Sequence, residues 1–240
     1  MRRDLTPRRL VGMFLFAPAT IAVLALAGAP ATDAAAPSAE QALTLLRDGN
    51  VRFVEDAPEA PNTTAARIRE TAEKGQHPFA TILTCADSRL PVERVFDRGV
   101  GDVFVVRVAG NVSDTDEIGT IEYGVGHLHT PLVVVMGHTG CGAVTAVVQG
   151  AELHGSIAPL VDNIRPAVDF VKRNRPELSG PELVAAAIEA NVWQSIDDLL
   201  SRSEETRTLA SKGDIKIIGA IYDLSNGRVR FMGEHPYQSR

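Results

Sequence analysis

The chain has 240 residues, 45% of them hydrophobic and 22% charged, and carries a net charge of −6. Its length accommodates one α/β domain with a sizeable core. The acidic balance, without a basic run in the body of the chain, argues against nucleic-acid binding.

Residues 1–9 hold four arginines against one aspartate, and an apolar run over 10–27 follows, ending in small residues that include Ala29-Pro30-Ala31. That order of charged, apolar and small segments predicts a signal peptide over 1–31. About 18 apolar residues would also just span a bilayer as an anchor, but Gly12, Pro18 and the small-residue end favour cleavage. The expectation is therefore an exported protein, periplasmic or extracellular, with no stable membrane association once the signal is removed. Arg8-Arg9 loosely fits twin-arginine export. Cleavage would leave a domain three charges more acidic than the whole chain. Residues 32–38 read as an Ala/Pro-rich linker and 39–240 as the folded domain.

Ala42, Leu45, Leu46 and Phe53 lie near helical spacing and predict a helix over 40–55. A more polar helix is predicted over 64–74. After Pro78 comes a strand over 79–84 that ends at Cys85, and DVFVVRV predicts a second strand over 102–108. A helix over 115–128 precedes the apolar run LVVVM at 132–136, which suits a strand buried on both faces. Helices are predicted over 143–148 and 181–201. Strands over 215–222 and 229–232 are joined by Ser225-Asn226-Gly227, a hairpin signal. The alternation predicts an α/β fold: a mostly parallel, doubly wound sheet with helices on both faces and an antiparallel C-terminal edge strand.

The chain has two cysteines, Cys85 in Cys85-Ala86-Asp87-Ser88-Arg89 and Cys141 in His138-Thr139-Gly140-Cys141-Gly142. In an exported protein two cysteines suggest one disulfide. Both, however, fall at carboxyl ends of predicted strands, where open α/β sheets bind ligands. There Cys85, His138 and Cys141 form a three-donor set suited to zinc, with one position left for chemistry. Asp87 and Arg89 read either as a local ion pair or as a dyad in which arginine keeps the carboxylate ionised and oriented toward water at the metal. Alternatively, Asp87 closes the site as a fourth ligand. The glycines around His138 do not match a phosphate-binding loop.

Three stretches, CADSR at 85–89, GDVFVVRVAGN at 101–111 and IEYGVGHLHTPLVVVMGHTGCGAV at 121–144, resemble the β-class carbonic anhydrases, over roughly residues 40–233. The resemblance implies one zinc per subunit on Cys85, His138 and Cys141, with Asp87 and Arg89 as the catalytic dyad. It implies reversible hydration of carbon dioxide to bicarbonate, with Gln76, Phe104 and Tyr123 lining the substrate pocket. It also implies a homodimer or higher even oligomer, with some pocket residues supplied by the neighbouring subunit. Ala86 stands where the family often has serine, a change that touches no ligand. Related hydrolases of carbon disulfide and carbonyl sulfide share the motif, and a non-catalytic zinc or redox-sensing domain is a further reading. The latter has no need of the dyad.

Overall fold

The computed structural model describes residues 36–234. The predicted signal peptide over 1–31, the first linker residues and residues 235–240 lie outside the described residues. Helix α1 (Ala39–Val54) begins where Ser38 accepts from the Gln41 N–H and the Gln41 side chain accepts from the Ser38 N–H, a reciprocal cap. In chain order follow α2 (Ala65–Lys74), β1 (Ala80–Cys85), α3 (Val92–Val95), β2 (Val103–Val108), α4 (Thr115–Glu122), β3 (Leu132–His138) and α5 (Gly142–Gln149). The remainder comprises α6 (Ile157–Asp162), α7 (Arg165–Asn174), α8 (Gly180–Arg202), α9 (Glu204–Lys212), β4 (Lys216–Tyr222) and β5 (Val229–Glu234).

The strands form one sheet in the order β2-β1-β3-β4-β5. All pairs are parallel except β4 with β5, so the predicted antiparallel edge strand is observed. Successive side chains of a strand point to opposite faces, and the core divides accordingly. Leu83, Val133, Val135, Ile217 and Ile221 pack with α4, α5, α7 and α8 on one face. Ile82, Leu132, Val134, Met136 and Ile218 pack with α1 and α3 on the other. The LVVVM run is wholly buried, as a strand covered on both sides requires. An ideal Cβ at Gly137 would lie 2.8 Å from Val192 Cγ2, so glycine here sets how closely α8 approaches β3.

The chain leaves β1 toward β2 on one side and reaches β3 on the other. The gap between β1 and β3 is thus the topological switch point, the place where such sheets bind ligands.

Some elements depart from the sequence reading. The helix expected over 115–128 stops at Glu122 and passes into a wider turn over Tyr123–His127. The cause is local. Both the backbone N–H and the hydroxyl of Thr130 donate to the Gly124 carbonyl, at 3.1 Å each. That carbonyl is no longer open to Leu128, whose N–H donates instead to Tyr123, at 3.1 Å. Helices α3, α6, α7 and α9 were not expected; Pro166 in the first turn of α7 reads in isolation as a break, although that position tolerates proline. No helix among the described residues is long and apolar enough to cross a membrane.

Asn50, 6% exposed on α1, ties three elements together. Its Nδ2 donates to the carbonyls of Val95 (3.2 Å) and Gly227 (2.9 Å), and its Oδ1 accepts from the Val229 N–H (2.8 Å). Asn50→Ala strands these backbone groups and should cost about 1–3 kcal/mol. Urea unfolding should show a lower midpoint at unchanged slope; an unchanged midpoint would refute the clasp.

Candidate metal centre

Cys85 closes β1 and His138 closes β3, so two strand ends at the switch point deliver two donors. The turn after β3 brings in the third, because Cys141 caps the N-terminus of α5. The donor atoms of Cys85, His138 and Cys141 lie within 4.8 Å of one another, and all three residues are buried. Both cysteines are free thiols.

The residues fit a metal ion by their chemistry. His138 is fully buried and its Nδ1 lies 3.0 Å from the Thr139 carbonyl. An N–H at Nδ1 donating to that oxygen leaves the lone pair on Nε2, the usual tautomer of a ligating histidine. His138 Nε2 is buried with no hydrogen-bond partner in the structure. A buried acceptor without a partner is costly, and a metal ion removes the deficit. Thr139 is itself anchored: its N–H donates to Tyr222 O and its hydroxyl accepts from the Leu224 N–H, each at 3.0 Å.

The sulfurs are poised for the same purpose. The Cys85 thiol is lowered to about 4, first by a hydrogen bond from the Cys141 thiol and further by the Gly110 N–H, against the opposing effect of burial. Cys141 is pushed up by its bond to the Cys85 thiolate and by burial, while the N–H groups of Ala143 and Val144 at the start of α5 oppose this. A divalent cation bound here would displace the remaining thiol proton, because thiolate is the ligating form.

Asp87 stands beside this cluster. Its Oδ2 is 3.9 Å from His138 Nε2. Arg89 holds the carboxylate through Nε to Oδ1 (2.9 Å), Nη2 to Oδ2 (2.7 Å) and its own N–H to Oδ1 (3.0 Å). This bidentate pairing keeps Asp87 ionised well below the usual carboxylate range, against the effect of burial. The structure thus shows Asp87 paired with Arg89. Ala86 is exposed, consistent with a substitution that touches no ligand.

Three contributors were not picked out from the sequence. Arg107 donates from Nη2 to Asp87 O (2.7 Å) and from Nε to Cys85 O (3.4 Å), pinning the backbone of the turn that carries both residues. Gly110 donates its N–H to Cys85 Sγ at 3.3 Å. Thr139 orients His138. Arg107 and Gly110 fall in the stretch 101–111, but the partners of a guanidinium or a peptide N–H follow from chain geometry rather than from residue type.

Gln76, Phe104 and Tyr123 are placed elsewhere. Phe104 is in register with Thr81, whereas Cys85 is in register with Val108. At roughly 3.3 Å per residue, Phe104 lies about 13 Å down the sheet from the metal cluster. Tyr123, 47% exposed, packs its ring 5.9 Å from that of Phe104. Gln76 is exposed in the loop ahead of β1, at the same far end. Within one chain these three do not meet the cysteines.

Comparison with known proteins agrees with this geometry. The family model described as carbonic anhydrase matches residues 80–229. Carbonic anhydrase 2 of Mycobacterium tuberculosis is 37% identical over 187 residues, covering 76% of this chain and 87% of that protein. The carbonic anhydrase of Mycolicibacterium smegmatis is 36% identical, covering 77% of this chain and 88% of the relative. Among solved structures, a β-carbonic anhydrase of Aspergillus fumigatus superposes with a TM-score of 0.65 at 26% identity, covering 83% of this chain and 93% of that one. A tetrameric β-carbonic anhydrase of Sordaria macrospora, at 23% identity and TM-score 0.65, covers 70% of this chain and 87% of its own and shares the fold. With two cysteine sulfurs and an imidazole gathered at the switch point of such a sheet, and with relatives matched over most of their length, the chain belongs to the β-carbonic anhydrase family.

Proposed function

We infer that the protein catalyses the reversible hydration of carbon dioxide to bicarbonate and a proton, with one zinc ion per chain held by Cys85, His138 and Cys141. The observation that carries this is the buried three-donor cluster with the Asp87–Arg89 pair at its edge. When bound, zinc supplies Lewis-acid activation of water as the nucleophile toward carbon dioxide. Because Arg89 holds Asp87 ionised, Asp87 acts as a hydrogen-bond acceptor that orients the attacking water through Oδ2; a carboxylate so stabilised is a poor base. His138 keeps its Nδ1 proton on Thr139 O throughout. Arg107 fixes the turn from which Asp87 projects. A non-catalytic sensor would need neither Asp87 nor Arg89.

Gln76, Phe104 and Tyr123 complete the pocket from a neighbouring subunit in a homodimer or higher even oligomer. The separation of about 13 Å between Phe104 and the metal cluster supports a contribution across subunits. So do exposed apolar side chains around edge strand β2: Tyr123 packs on Phe104, while Ile68 and Val100 flank the contact from Arg67 Nε to Val100 O. Export directed by residues 1–31 is part of the same proposal and rests on the sequence pattern alone.

The test is a stopped-flow carbon dioxide hydration assay on zinc-loaded protein, on chelator-treated protein and on the treated protein after zinc is restored. Activity should vanish on chelation and return with about one zinc per chain. Zinc-loaded protein that does not exceed the uncatalysed rate would overturn the assignment.

A further inference from the structure

The N–H···S bond from Gly110 to Cys85 is held in place from an unexpected distance. Gly110 stands in left-handed backbone, φ 76° and ψ 13°, in the turn after β2. Its neighbour Asn111 also has positive φ, 47°, is 2% exposed, and its Nδ2 finds no partner. Two consecutive left-handed residues, one of them not glycine, make a strained turn that its surroundings must maintain. An ideal Cβ on Gly110 would come within 2.5 Å of Ile164 Cδ1, so the turn is also closely packed.

The restraint comes from the long helix. Asn191 sits in the middle of α8, 1% exposed, and its Nδ2 donates to the Gly110 carbonyl at 2.7 Å across 81 residues of sequence. The Oδ1 of Asn191 has no partner, so the bond to Gly110 is the polar contact that fixes this amide. A buried amide in mid-helix that faces a glycine carbonyl, while the same glycine's N–H faces a metal-ligand sulfur, links α8 to the electronic state of Cys85.

We propose that Asn191 is a positioning residue for the metal centre: by holding Gly110 in its left-handed turn it keeps the Gly110 N–H on Cys85 Sγ, drawing charge from that sulfur and leaving the bound metal more electron-poor. Hydrogen bonds to a ligating sulfur tune a metal in this way generally, and outer-shell partners typically matter ~10–100-fold in affinity or activity. The inference rests on the assignment of Cys85, His138 and Cys141 as metal ligands.

The experiment uses full-length protein loaded with cobalt(II), whose sulfur-to-metal charge-transfer band reports thiolate charge directly. Loss of the N–H···S bond raises the energy of the sulfur lone pairs, so Asn191→Leu should move the band to longer wavelength at unchanged intensity. The hydration rate of its zinc form should fall ~10–100-fold. Asn191→Ser, polar but too short to reach Gly110, carries the same expectation if the leucine variant does not fold. Ser195→Ala is the control: Ser195 is equally buried one turn along α8 and bonds Asn191 O at 2.9 Å. An unshifted band in the Asn191 variants, or an equal shift in Ser195→Ala, would overturn the proposal. Absence of any charge-transfer band in the cobalt-loaded wild-type protein would instead strike at the metal assignment.

Discussion

Cys141→Ser should strip the protein of zinc and bring carbon dioxide hydration down to the uncatalysed rate. Zinc draws its affinity here from two thiolates and one imidazole, and serine offers a hydroxyl that stays protonated near neutrality. The change is nearly isosteric, and at Cys141 the backbone has only to cap α5, which serine does well. The fold should therefore survive while the site does not. Removing a ligand must cost more than the ~100-fold upper range for outer-shell changes. Metal binding also stabilises the folded state, by about 4 kcal/mol when free zinc is 1,000 times the dissociation constant. Wild-type protein should accordingly melt higher with added zinc, and the variant should not respond. Elemental analysis after dialysis, with thermal melts at two zinc concentrations, reads both effects. A Cys141→Ser protein that keeps stoichiometric zinc would remove Cys141 from the ligand set.

The site was legible in the sequence where chemistry and strand ends coincide. LVVVM could be read as a doubly covered strand because five apolar residues leave no face for solvent, and His138 and Cys141 follow it directly. Cys85 could be joined to them because the end of a parallel strand is a fixed place in such a sheet. What the sequence hid depends on long-range geometry. Asn191 reads as one polar residue on a long helix, and only the packing of α8 across β3 brings it onto Gly110. The break after Glu122 arises because Thr130 captures the Gly124 carbonyl, a competition invisible to helical periodicity. Gln76, Phe104 and Tyr123 came from family likeness alone, and the fold of one chain places them at the wrong end of β1 and β2 to reach the metal.

Asp87→Ala should lower the hydration rate on the order of 100-fold, the scale at which a misplaced reactant slows a reaction, while zinc content stays at one per chain. The separation follows from the geometry. Asp87 projects from the turn that carries Cys85, but it is bound by Arg89, and the cluster of donors is complete without it. Asp87→Asn sharpens the argument, since it keeps the shape and an acceptor toward Arg89 yet loses the charge. If orientation of water by a carboxylate oxygen is what matters, the asparagine variant should fall nearly as far as the alanine one. The same pair has a signature in stability. Arg89 lowers Asp87 in the folded state, so the folded protein binds fewer protons there than the unfolded chain, whose value is about 3.9. The pairing therefore contributes fully above about pH 5 and is lost as pH falls through the acid range. Wild-type stability should drop more steeply than that of Asp87→Asn between about pH 5 and 2, with the gap narrowing as the carboxylate protonates. Denaturant melts across that interval measure the convergence. Parallel curves would mean that the pair adds nothing to folding, and zinc lost together with activity would mean that Asp87 serves the metal rather than the water.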